Sequence, residues 1–121
     1  MSYQYSFEKL TVWQESRKLV ILIYDLLKKF PKEELYSLVS QIKRAAISVS
    51  ANLAESSTRT TSKDQAHFTT LSFGSLIELM NHLYISFDLG YITEEDLNTF
   101  KDKIYNLSNQ INALRNSQLN K

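Results

Sequence analysis

Apolar residues recur at helical intervals along four stretches of this chain, with polar or turn-forming residues between them. In the first stretch Val12, Trp13, Leu19, Val20, Ile23, Leu26, Leu27 and Phe30 carry the pattern, and Thr11 with Gln14 has capping-box spacing. A helix over about 11–29 is predicted, ended by Pro31. Pro31-Lys32-Glu33-Glu34 then supplies the proline and acidic first turn of a second helix, about 32–56, through Leu35, Leu38, Val39, Ile42, Ala45, Ala46, Val49 and Leu53. The segment 56–65 contains no strongly apolar residue and reads as a polar loop. Ser62 and Gln65 repeat the capping-box spacing and open a third helix, about 63–89, with Phe68, Leu71, Leu76, Leu79, Leu83 and Phe87 inward and Gly90 as its stop. Thr93-Glu94-Glu95-Asp96 caps a fourth, about 94–116, whose seam is Leu97, Phe100, Ile104, Leu107, Ile111 and Leu114, and the last residues are expected to fray.

Four helices on short connections predict an all-α, antiparallel up-down-up-down four-helix bundle, and the length of 121 residues suits one domain covering 1–121. Two glycines and one proline are too few for a many-stranded sheet protein. The absence of cysteine removes disulfides, thiolate metal sites and cysteine nucleophiles, and it points to a reducing compartment, the cytoplasm. The opening MSYQYSFEKL lacks a basic stretch followed by an apolar core, so no secretory signal is expected. No stretch approaches the ~20 apolar residues that cross a bilayer, so no membrane partner is expected either.

The first helix is too apolar for a lone bundle. Leu19, Val20, Ile21, Leu22, Ile23 and Tyr24 point all round it, so burying one face leaves Ile21 or Leu22 on another. Each such side chain left wet forgoes roughly 1.5 to 3 kcal/mol. Self-association through Ile21 and Leu22 is the economical expectation; the alternative is a helix that is central in a monomer.

On the second helix Gln41, Arg44, Ser48, Asn52, Glu55 and Arg59 follow one another by three or four positions and form one polar stripe. It is either a solvated outer face or a hydrogen-bonded network facing another helix, with Glu78 as a further carboxylate for Arg44. Small residues nearby and the mid-helix Gly74 speak for close approach of a second backbone.

The same residues carry a resemblance. Phe7-Glu8-Lys9-Leu10-Thr11-Val12-Trp13-Gln14, Phe30-Pro31, Gln41-Ile42-Lys43-Arg44-Ala45-Ala46, Asn52-Leu53-Ala54-Glu55 and Gly74-Ser75-Leu76-Ile77-Glu78-Leu79 resemble, in order and spacing, the four-helix-bundle family encoded by intervening sequences in 23S ribosomal RNA genes. The resemblance implies an antiparallel bundle and, for close relatives, a ring-shaped homopentamer. It extends to the accessory proteins of diversity-generating retroelements, which assemble as basic pentamers and bind nucleic acid and a reverse transcriptase. Members commonly have glycine where this chain has Ser37, Ser56 and Thr58, and paired arginines where it has Lys43-Arg44.

Chemistry narrows the function further. Glu78 and His82 are four apart with no second such pair, and His67 lies fifteen residues before His82, so neither a metal nor any other cofactor is expected. No nucleophile elbow or phosphate-binding glycine loop is present, and a catalytic role is not expected. A net charge of +1 gives no global attraction to nucleic acid, so binding would rest on a patch. The best patch is the loop before the third helix, where Arg59 and Lys63 accompany the hydroxyls of Thr60 and Ser62; Lys28, Lys29 and Lys32 form the next. The expectation is a non-enzymatic homo-oligomeric scaffold, most simply a homopentamer, that binds structured RNA or other nucleic acid together with a protein partner. Its rival is a structural, protein-interaction module without nucleic-acid binding.

Overall fold

The computed structural model describes residues 2–121, so only the first residue of the 1–121 domain lies outside it. Among the described residues there are four α-helices and no strand: α1 (Thr11–Leu26), α2 (Leu38–Thr58), α3 (Ser62–Asp88) and α4 (Glu94–Leu119). None is long and apolar enough to cross a membrane. α1 packs on α2 and α4, α3 packs on the same two helices, and α1 and α3 therefore stand at opposite corners. Their inward residues form one apolar cluster that includes Ile23, Ile42, Leu53, Leu76, Leu79, Leu83 and Ile111.

The periodicity that predicts the helices also predicts their buried faces, while two of the predicted caps are corrected. Thr11 and Gln14 make no capping box, because Leu10 is the N-cap and Thr11 is already helical. The Gln14 amide instead donates to the Glu8 carbonyl at 2.8 Å, and the Glu8 carboxylate accepts from the Tyr5 N–H at 2.7 Å in a preceding 3-10 turn, Ser6–Lys9. α3 starts one residue earlier than the spacing implied, with Thr61 as N-cap accepting from the Asp64 N–H at 3.1 Å. Thr93 and Asp96 do form the predicted box at α4.

The predicted second helix begins late. Lys32–Glu34 forms only a 3-10 turn, Ser37 has φ −123° and ψ −99°, and α2 starts at Leu38. The Glu34 carboxylate explains part of this break: it accepts from the Ser37 hydroxyl and, at 2.8 Å, from the Tyr91 hydroxyl near the start of α4. Those bonds hold the Glu34 carboxyl below its ordinary range, the Ser37 contribution leading, and Glu34 pushes the Tyr91 phenol up. At the end of α3 the chain stops at a glycine as predicted. Gly90 takes φ +80°, its N–H bonds the Phe87 carbonyl and the Tyr91 N–H bonds the Ser86 carbonyl, a Schellman closure that needs a left-handed residue.

Two further expectations fail for packing reasons. Leu71 does not face the core: Ala66, Thr69 and Ser72 line the first half of the buried face of α3. The end of α4 does not fray by 116, because Gln118 is buried and hydrogen-bonded.

Candidate nucleic-acid interface

The turn from α2 to α3 brings Arg59, Thr60, Ser62 and Lys63 together at one end of the bundle. Arg59 is the C-cap of α2, with extended dihedrals that swing its side chain back over both helices. Its Nη2 lies 2.9 Å from the Glu55 carboxylate, and its guanidinium carbon sits 4.2 Å from the centre of the Phe68 ring. The guanidinium is thus held in place by an ion pair and a cation–π contact. Lys63 and Thr60 are exposed and Ser62 is half-buried. The cap hydroxyl at this helix start belongs to Thr61, and Asp64 puts a carboxylate in the first turn of α3. That carboxylate already uses the positive end of the helix dipole.

Sequence reasoning missed a third cation here. Lys121 donates to the Gln65 side-chain carbonyl at 2.8 Å, while the Gln65 amide donates to the Arg59 carbonyl at 3.0 Å. Nothing local in the sequence marks Lys121, since only the full length of α4 carries it to this end. The Lys28, Lys29 and Lys32 cluster is differently disposed: Lys28 pairs with Asp25 at 3.3 Å and Lys29 with Asp96 at 2.7 Å.

The polar stripe of α2 resolves into local pieces on an open face. Arg44 donates to Gln41 at 2.8 Å and to Glu78 at 3.0 Å, yet its side chain is 62% exposed. Asn52 donates to the Ser48 carbonyl at 2.9 Å, and Glu55 serves Arg59. Of the residues read as one network, Gln41, Arg44 and Glu78 are joined side chain to side chain, whereas Asn52 bonds only the Ser48 backbone carbonyl and Glu55 bonds Arg59, so helical spacing gives a stripe of separate groups. His82 joins at Glu78, its Nε2 3.2 Å from the carboxylate, and His67 is exposed beside Phe68. Among the described residues no three His, Cys, Asp or Glu side chains converge as metal ligands would.

A buried network does exist, one turn inside the predicted loop. Thr69 donates to the Gln118 side-chain carbonyl at 2.7 Å, the Gln118 amide donates to Ser56 at 2.8 Å, and the Ser56 hydroxyl donates to the Gln65 carbonyl at 2.8 Å. Ser56 and Thr69 are fully buried. Nearby the Ser72 hydroxyl donates to the Val49 carbonyl at 2.7 Å, tying α2 to α3. Each buried hydroxyl therefore has its partner, and the end of the bundle that carries Arg59, Lys63 and Lys121 rests on a rigid base.

On the opposite flank the surplus apolar residues of α1 face outward, Ile21 at 67% and Leu22 at 41% exposure. Leu22 lines a cleft with Leu19, Lys103, Asn106, Leu107 and Gln110 between α1 and α4.

The profile of the 23S rRNA-intervening sequence protein family matches residues 8–113. The chain belongs to this family. No curated protein matches it. In this 23S rRNA-intervening sequence family member the match spans all of α1, α2 and α3 and ends within α4, short of Gln118 and Lys121.

Proposed function

We propose that this protein is a non-enzymatic, cytoplasmic, homo-oligomeric scaffold, most simply a homopentamer, that binds nucleic acid such as structured RNA and presents a further surface to a protein partner. The observation that carries the assembly is the outward face of α1: in a helix that also supplies Ile23 and Leu26 to the core, Ile21 and Leu22 meet solvent. Covering them in a second copy recovers the transfer free energy that the isolated chain forgoes.

The scaffold reading takes the helices as an antiparallel up-down-up-down bundle. Early α2 meets late α3 at Arg44 and Glu78, and late α2 meets early α3 at Ser56 and Thr69. Early α3 meets late α4 at Thr69 and Gln118, and late α3 meets early α4 at Tyr84 and Lys101. A compartment that keeps thiols reduced suits a chain without cysteine.

Nucleic-acid binding is assigned to the end bearing Arg59, Lys63 and Lys121, with Thr60 and Ser62 as hydroxyl donors to phosphate. Repeated once per subunit, weak contacts of this kind sum to useful affinity. A specific observation favours the rival protein-interaction module: Glu55 already holds Arg59, and Asp64 stands at the start of α3. Titration with total cellular RNA at several salt concentrations separates the two. Binding that weakens steeply with salt supports the nucleic-acid reading. No binding at low ionic strength overturns it in favour of the module.

A further inference from the structure

The chain has two glycines, and only Gly90 is explained by its own backbone. Gly74 stands in the middle of the 27-residue α3, is exposed, and a side-chain carbon added there would meet nothing within 4 Å. The close approach that the sequence suggested for Gly74 is therefore not made inside this chain. What surrounds the glycine is apolar and open: Leu71 at 42% and Ile77 at 50% exposure on α3. Across the seam, the α2 stretch from Arg44 to Val49 runs beside the α3 stretch from Ser72 to Glu78, and it adds Ile47 at 45%. The result is a notch with aliphatic walls, and it lies on the outer face of α3.

The outer face of α1, at the opposite corner of the bundle, carries the matching projection. Ile21, at 67% exposure, is the most exposed large aliphatic side chain of the described residues. Charge matches as well. Arg17 lies four residues before Ile21, is exposed and rests against Trp13, while Glu78 lies four residues after Gly74. Arg44 and His82 both approach Glu78 through the same oxygen, Oε2, so Oε1 takes part in neither contact. With two helices crossing antiparallel and Ile21 over Gly74, Arg17 comes level with Glu78. The parallel crossing would set Asp25 there, against a like charge.

Resting on the reading of the protein as a homo-oligomer, we propose that the occupant of the Gly74 notch is Ile21 of a second copy, so that α1 of each subunit docks antiparallel on α3 of the next. Because the two faces differ and lie on opposite sides, this contact is head-to-tail and propagates until a ring closes. Gly74 serves to let the neighbouring helix approach closely.

The native chain has no cysteine, which makes the contact testable by cross-linking. Ile21→Cys and Ile77→Cys are prepared separately, checked for helicity, and then dissociated, mixed and oxidised. The expected result is a covalent dimer from the mixture and none from either variant alone. Gly74→Leu should weaken association by about tenfold or more while the protomer keeps its helix content. Cross-linking within either single variant would mean that like faces pair, overturning the head-to-tail contact but keeping the oligomer. An oligomer with no cross-link in any mixture also overturns it. A monomer at every concentration overturns both this contact and the oligomer reading.

Discussion

The guanidinium of Arg44 lies 3.0 Å from the carboxylate of Glu78, joining α2 to α3 on a face that stays wet. Exposure decides what this pair contributes. With 62% of the Arg44 side chain accessible, solvent screens the attraction and the entropy of two long side chains opposes it. Arg44→Ala is expected to cost under about 1 kcal/mol in urea denaturation, the value of a surface pair, and a loss of about 3 kcal/mol would mean a desolvated one.

The buried network predicts a larger effect from smaller changes. Gln118→Ala leaves the hydroxyls of Ser56 and Thr69 without the amide that bridges them, and both hydroxyl residues are fully buried. Stability should fall by about 1 to 3 kcal/mol in the same denaturation experiment, and Thr69→Val should fall in that range. An effect below ~0.5 kcal/mol would show that water replaces the lost partners.

Acid should weaken the contact between the turn Leu27–Lys29 that follows α1 and the start of α4. The bond from Lys29 leads the causes that hold the Asp96 carboxyl below its ordinary range, with the Thr93 cap adding to it. A carboxylate depressed in the folded state stabilises the protein above its unfolded value, and that contribution is lost as pH falls through the folded one. Thermal melts from neutral pH down to about pH 2 should therefore show Asp96→Asn losing less stability on acidification than the parent. Equal losses would place the acid sensitivity elsewhere, with Glu34 the next carboxylate to change.

If the α2–α3 turn holds phosphate, Lys63→Ala alone should lower RNA affinity and flatten its salt dependence with no change in melting temperature, since Lys63 is exposed. The double change with Arg59→Ala should weaken binding further and also cost some stability, because Arg59 packs on Phe68 and pairs with Glu55. Unaltered RNA binding in the double variant would redirect the search to Lys28, Lys29 and Lys32.

These outcomes bear on what a sequence discloses. The buried stripe Leu97, Phe100, Ile104, Leu107 and Ile111 is legible because packing imposes one face on a helix. The start of α2 is not, because Ser37 leaves helical dihedrals in company with Glu34 and Tyr91, the latter 57 residues beyond Glu34. Capping spacing found Thr93 but misplaced the start of α3 by one residue, since serine at 62 is by residue type the better N-cap and the structure uses threonine at 61. The hydroxyl of Ser56 falls in the segment 56–65 that reads as a polar loop, and nothing local in the sequence marks Thr69 as its partner. Only the end of α4, folded back across them, makes them interior. At the candidate site, Arg59 and Lys63 are visible from composition alone, whereas Lys121 depends on where α4 ends.

The central claim is assembly through the uncovered face of α1, and light scattering coupled to size exclusion at micromolar concentration tests it most directly. The account predicts a mass several times the 14.1 kDa of the chain, fivefold for the pentamer, and a shift toward the protomer mass in Leu22→Asp. A parent protein that elutes at 14.1 kDa at that concentration would contradict it.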